Sequence, residues 1–274
     1  MRLEYSVEEL KKLANDIRID IVESIHCGGS GHPGGSLSIA EMMAVLFFHE
    51  MNVDEKNPGW EDRDRFVLSK GHAAPAYYAA LAERGYFDKE VLKTLRHIDS
   101  MLQGHPDMKK VPGVDMSTGS LGQGISAAAG MAHYAKRMNK DFRVYSILGD
   151  GEIQEGQVWE AAMSAGHFGL DNLTVFLDNN DLQIDGHVSE EMSVYPVREK
   201  FEAFGWNVVE ADGHQIEELL EALEQAGRCK GKPTLIWCKT IKGKGVSFME
   251  NQVGWHGGAI NDEQYQIAMK ELKG

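Results

Sequence analysis

Residues 149–186 read GDGEIQEGQVWEAAMSAGHFGLDNLTVFLDNNDLQIDG. The stretch begins where one apolar run, VYSIL at 144–148, ends, and it contains a second, LTVFL at 173–177. Between them, 156–168 carries apolar residues at helical spacing. A strand, a crossover helix and a second strand form a parallel unit. Asp150 stands in a glycine turn just past the first strand, and Asn180 stands just past the second. In an open parallel sheet, ligands bind beyond the carboxyl ends of the strands, so both side chains belong to one binding edge.

Working outward, apolar runs at 65–68, 206–209 and 234–238 add strands, and helical patterns at 197–204 and 215–226 lie between them. Strands alternating with helices predict an α/β fold, with a mostly parallel sheet and helices on both faces. The expectation is one domain over residues 1–274. Ser6 with Glu9 forms a capping box for a helix reaching about Ile25. Ser38 with Glu41 reads the same way for a helix reaching about His49, after a glycine-rich loop at 27–37. Further helices are predicted over 73–84, 89–96 and 122–138. The last opens on Gly122-Gln123-Gly124-Ile125-Ser126-Ala127, which fits a dinucleotide fingerprint. It follows a polar loop and no strand, so it reads instead as a helix start whose glycines admit a flat ring closely. Two long stretches, 103–120 and 239–262, have no predicted elements, and such loops inside a compact domain are usually functional. Within them, 103–115 and 243–254 are expected to be the least ordered regions without ligand.

Composition narrows the partners. The chain has 274 residues and a formal net charge of −14, which argues against nucleic acid, because phosphate contacts need clustered Lys and Arg. No apolar run approaches the roughly 18 residues of a membrane span. The charged, amphipathic N-terminus does not read as a signal peptide. Cys27, Cys229 and Cys238 are unclustered and lack CxxC spacing, which suits a reducing cytoplasm and gives no zinc site.

The chemistry concentrates in the loops. Asp150 offers a charged oxygen, Asn180 a neutral one, and a main-chain carbonyl near Leu182 a third; Mg²⁺ wants such hard ligands, shared with phosphate. A helix starting after Gly151 would point free N–H groups at a diphosphate. His32, His72, His105 and His256 each sit beside glycine in a loop, and are expected to converge on one cleft. Imidazole titrates near neutrality, so it can donate to phosphate or move protons. Their spacing does not fit a helical zinc motif. Lys70 and Lys242 gain weight from neighbouring His72 and the glycine-rich segment.

SGHPGGS (30–36), SKGHAAP (69–75), GHP (104–106), STGSLGQG (117–124), the GDG…NN stretch and KGKGVSFMENQVGWHG (242–257) together resemble transketolase, in chain order and over nearly the whole chain. The resemblance is to the N-terminal, diphosphate-binding part of that enzyme, as found in a split two-chain form. It implies a thiamine-diphosphate-binding fold and transfer of a two-carbon glycolaldehyde unit from a ketose phosphate such as xylulose 5-phosphate to an aldose phosphate such as ribose 5-phosphate or erythrose 4-phosphate. It implies thiamine diphosphate and Mg²⁺ as cofactors, with Ca²⁺ or Mn²⁺ as substitutes. Asp150, Asn180 and the Leu182 carbonyl would hold the metal; Gly151 would contact the diphosphate, and Lys70 and Lys242, which match lysines of the animal-type enzymes, would be cofactor-binding. His72 and His256 would face the diphosphate and the reacting carbon, while His32 and His105 would serve substrate hydroxyls and proton transfer. Gly119 and Leu121 would hold the aminopyrimidine, and Glu155 would link two cofactor sites across a dimer. The glutamate that activates the pyrimidine and the arginines that bind sugar phosphate lie in a part of the family not seen here. A dimer of heterodimers, completed by a C-terminal partner subunit, is therefore expected. The alternatives are a related ketolase acting on another sugar phosphate, or a cofactor-binding subunit without catalysis.

Overall fold

The structure is a computed structural model that describes residues 3–274. Its centre is a five-stranded sheet in the order β1-β2-β3-β5-β4. The strands are β1 (Arg65–Leu68), β2 (Val144–Gly149), β3 (Leu173–Asn179), β4 (Asn207–Asp212) and β5 (Thr234–Lys239). Every pairing is parallel. Gly149 pairs with Asp178 and Asn179 with Lys239, so the carboxyl ends of β2, β3 and β5 come out level at one edge.

Successive side chains along each strand enter different cores. Tyr145, Ile147, Phe176 and Ile236 join one apolar cluster, while Val144, Leu148, Val175 and Leu235 join the other. β3 is buried along its whole length, which explains its unbroken apolar run. The first cluster is covered by α1 (Val7–Gly28), α3 (Ala40–Val45), α4 (Ala74–Arg84), α9 (Ile216–Arg228) and α10 (Asp262–Lys273). The second is covered by α5 (Gln123–Arg137), α6 (Gly156–His167) and α8 (Val197–Ala203). Short α2 (Pro33–Leu37) and α7 (Val188–Glu191) lie in the connections. Helices on both faces of a parallel sheet match the expected fold.

The Ser6–Glu9 capping box is present at the start of α1, but other local readings change. The segment 27–37 is largely helical: α1 runs through Cys27, and α2 opens on Pro33 at its first position. Ser38 caps nothing. Its hydroxyl donates to Asp178 Oδ2 at 2.7 Å, so it is taken into the floor of the sheet edge. Glu41 instead pairs with Arg18 at 2.6 Å and meets His214 at 3.1 Å. α3 then starts at Ala40 and passes into a π-helical turn, Leu46–Glu50. The segment 89–96 is a 3₁₀ helix over Lys89–Thr94. The long stretch 239–262 gains only a 3₁₀ turn, Val253–Trp255, and one bridge from Gly258 to Gly31. α10 lies beyond every expectation. Asn261 and Gln264 form its capping box, and Ala268, Met269 and Leu272 are buried.

Candidate active site

The level edge of β2, β3 and β5 opens into a cavity of about 330 Å³. Asp150 enters it from the turn after β2 and is 2% exposed. Its Oδ1 accepts from Gly151 N–H at 2.8 Å, and its Oδ2 accepts from Asn179 Nδ2 at 2.9 Å and Asp181 N–H at 2.5 Å. Burial, with the nearby charge of Asp178, pushes its carboxyl up to about 6 against these donors. Asn180 donates through Nδ2 to Asp178 Oδ2 at 3.2 Å, and its Oδ1 accepts from Leu182 N–H at 3.1 Å. The amide oxygen is thereby oriented away from Asp178.

Asp178, the penultimate residue of β3, is fully buried. It takes Lys70 Nζ at 2.5 Å, Ser38 Oγ at 2.7 Å and Thr240 Oγ1 at 2.5 Å. Burial opposes its ionisation, but the Lys70 charge and these donors outweigh it and hold the carboxyl below the usual range. Lys242, 2% exposed, differs from Lys70. Its two partners are neutral: Leu182 O at 2.8 Å and His256 Nδ1 at 2.9 Å. Burial, with Lys70 nearby, pushes its ammonium down to about 8. A buried cation without a carboxylate at hydrogen-bonding distance favours an anion in the cavity.

His32, His72 and His256 meet there. Their ring centroids are 5.3 Å apart for His32 and His72, 5.6 Å for His32 and His256, and 5.2 Å for His72 and His256. Burial drives all three down: His32 to about 4, His256 to about 3, and His72 well below the ordinary range. They stand as neutral imidazoles at physiological pH. His105 does not reach this cavity and lines a separate open depression with Pro106 and Asp107. It packs behind Gly119, where a Cβ would come within 2.9 Å of its ring. The expected convergence of four imidazoles is thus one of three, with His105 on the far side of a glycine.

Gly119, Leu121, Gly151 and Glu155 line the cavity alongside Lys70. The helix expected directly after Gly151 is a 3₁₀ turn, Glu152–Gln154; α6 follows at Gly156, with Glu155 at its N-cap. Glu152 escaped the sequence reading. It is buried, and its carboxylate accepts from Ser69 Oγ at 2.6 Å, Gly122 N–H at 2.9 Å and Gly149 N–H at 3.1 Å. It therefore ties the loop after β1, the start of α5 and the turn after β2 together. Asp178 and Arg96 were also missed. Asp178 had a signal, an acid at the end of an apolar strand beside Asn179-Asn180; Glu152 and Arg96 had none, since Ser69 and Gly122 for Glu152, and Ser30 and His32 for Arg96, lie dozens of residues away.

Among the described residues, no group of three or more His, Cys, Asp or Glu could hold a metal ion unaided. The donor set of one raised carboxylate, one amide oxygen and one carbonyl suits a hard divalent cation that completes its shell with ligand oxygens. Those donors and the Lys242 ammonium fit a metal–diphosphate group.

The family described as "Transketolase, thiamine diphosphate binding domain" matches residues 9–273. The chain is 49% identical over 265 residues to the 6-deoxy-6-sulfo-D-fructose transketolase subunit SqwG of Clostridium sp. (strain MSTE9), covering 97% of this chain and 96% of that one. It is 40% identical over 266 residues to an apulose-4-phosphate transketolase subunit of Phocaeicola vulgatus, covering 97% and 94%. Among solved structures, the transketolase from Leishmania mexicana superposes with a TM-score of 0.92 at 36% identity, covering 98% of this chain and 42% of that one. The chain thus matches the subunits nearly end to end and spans less than half of the solved chain.

Proposed function

Because the chain belongs to the transketolase family of transferases and carries its thiamine diphosphate binding domain over residues 9–273, we propose that it is the N-terminal subunit of a two-chain transketolase. Residues 1–274 act in this reading as one diphosphate-binding domain, and a C-terminal partner subunit brings the pyrimidine-binding part, within a dimer of heterodimers. The observation that carries the reading is a single cavity at the carboxyl ends of the strands, in which Asp150, Asn180 and the buried Lys242 face three neutral imidazoles. The end-to-end match to separately encoded subunits supports the partner.

Asp150, Asn180 and the Leu182 carbonyl would hold Mg²⁺, with Ca²⁺ or Mn²⁺ able to substitute, and the metal would neutralise the diphosphate. Lys242 would then exchange its neutral partners for phosphate oxygens, with Gly151 beside it. Lys70 keeps Asp178 charged, and Asp178 in turn aims Asn180. Gly119 and Leu121 would border the aminopyrimidine, and Glu155 would reach toward the second site of the dimer. When bound, thiamine diphosphate supplies the carbon nucleophile and electron sink for breaking and remaking a bond beside a carbonyl. His32, His72 and His256 would bind and orient the sugar oxygens and exclude water, and His105, outside the cavity, would meet the substrate where it extends past Gly119 into the neighbouring depression. The ketose loses a two-carbon unit, its remainder leaves as an aldose, and the unit joins a second aldose.

The sugar is open between two readings. Xylulose 5-phosphate with ribose 5-phosphate or erythrose 4-phosphate would place the enzyme in the pentose phosphate pathway of the cytoplasm. The 49% identity to a 6-deoxy-6-sulfo-D-fructose transketolase subunit favours a different ketose. The deciding experiment measures glycolaldehyde transfer from each ketose with thiamine diphosphate and Mg²⁺, with and without the C-terminal subunit. Turnover only with both chains supports the proposal. Turnover by this chain alone sinks the split site, and none from the pair on any ketose sinks catalysis.

A further inference from the structure

Arg96 follows the 3₁₀ helix at Lys89–Thr94 with a left-handed backbone, φ 61°. A non-glycine residue there is uncommon and held against a local preference. Its own N–H donates to Leu102 O at 2.7 Å, which fixes the turn. Its guanidinium reaches back to the loop before α2, with Nη1 donating to Ser30 Oγ at 3.0 Å and Nη2 lying 3.2 Å from His32 Nδ1. Gly104 leaves it room, since a Cβ there would come within 3.0 Å of the guanidinium carbon.

A guanidinium carries only donors, so His32 Nδ1 must be the acceptor and cannot hold the proton. In the neutral ring that leaves the proton on Nε2. The Nε2 edge faces Gly257, where a Cβ would stand 3.3 Å from it, so the missing side chain leaves this edge less obstructed. We propose that Arg96 is a positioning residue that locks His32 in the Nε2–H tautomer, so that His32 offers the cavity a hydrogen-bond donor and no base. The ring's one lone pair points away from the cavity, onto Arg96. His32 then grips a hydroxyl or carbonyl oxygen of a sugar and stabilises negative charge growing on it, while proton removal falls to another group. The inference rests on the transketolase reading for its substrate but not for its geometry.

The test is ¹⁵N-detected imidazole NMR of the full 274-residue chain, with His32 assigned by its loss in His32→Gln. The groups facing the ring are Arg96, His72, His105, His256, Lys242 and Lys70. In the wild type, His32 should show a protonated Nε2 and an accepting Nδ1 throughout the neutral range. In Arg96→Met, the Nδ1 signal should move to that of an unbonded acceptor. The ring should also titrate about one pH unit higher, because a like charge has gone. Arg96→Lys should keep most of the wild-type pattern. A protonated Nδ1 in the wild type would overturn the proposal even if the Met variant fails to fold, and so would a folded Arg96→Met with an unchanged His32 spectrum. None of these readouts needs thiamine diphosphate, a partner or turnover. A locked tautomer in a pair inactive on every ketose would defeat the functional reading alone, and a mobile one in an active pair would defeat only this inference.

Discussion

Asp150 concentrates the conflict on which the site is built. Its carboxylate is buried beside Asp178 and pushed up to about 6, so the charge that a divalent cation would use is the charge that burial resists. Binding such a cation removes the conflict. Asp150→Asn keeps the shape and deletes the charge, but turns one of two accepting oxygens into an NH₂ group that faces N–H donors. It should weaken Mg²⁺-dependent thiamine diphosphate binding by at least about 100-fold, read by calorimetric titration. An affinity within about threefold of wild type would remove Asp150 from the metal. Residues of this kind were visible in the sequence because they combine an acid, a glycine turn and a preceding apolar strand. Glu152 and Arg96 were not, because each acquires meaning from loops far away in the chain: Glu152 from Ser69 and Gly122, Arg96 from Ser30 and His32.

Between elements, the Arg18–Glu41–His214 cluster joins α1, α3 and the loop after β4. Burial works against the Glu41 charge, but Arg18 and His214 outweigh it and hold the carboxyl at about 2. A carboxyl held below its unfolded value contributes stability that is complete above about 4.5 and is lost as pH falls toward about 2. Glu41→Ala should cost about 3 kcal/mol at neutral pH by urea unfolding. It should also flatten the acid limb of the stability profile, and a variant whose loss does not shrink in acid would point to packing instead. The same cluster shows why the Ser38–Glu41 capping pattern misled: both side chains are engaged by tertiary partners, which local spacing cannot reveal. The strands were readable because a sheet buried on both faces writes itself as apolar runs. α10 carried a usable signal, the Asn261–Gln264 box before Ala268, Met269 and Leu272, within a stretch otherwise dominated by charge.

Order in the loops follows from the same packing. Residues 243–254 are pinned by Val246 and Met249, both fully buried, which argues against their being among the least ordered. The segment 181–193 instead exposes Ile184 at 66% and Met192 at 64% while Leu182 and Gln183 line the cavity. Hydrogen exchange should show 181–193 slowing most when thiamine diphosphate and Mg²⁺ are added. Equal exchange there with and without them would disconnect this loop from the cofactor.

For the molecule as a whole, cofactor binding is linked to folding through the cavity. A ligand pair at about 100 times its dissociation constant should add about 2.7 kcal/mol. Thermal unfolding should therefore rise with thiamine diphosphate plus Mg²⁺ and not with thiamine diphosphate plus a chelator. A rise that ignores the metal would mean that the diphosphate is held by lysine alone. The sheet also divides the molecule's surface in two. The cavity groups hang from the carboxyl ends of the strands, and the opposite rim carries the mostly exposed turn at 138–141 between α5 and β2. That rim is open ground for protein engineering: a peptide tag, a fluorophore or a new pair of chain ends placed at 138–141 would sit one full strand length from the chemistry and leave its wiring intact.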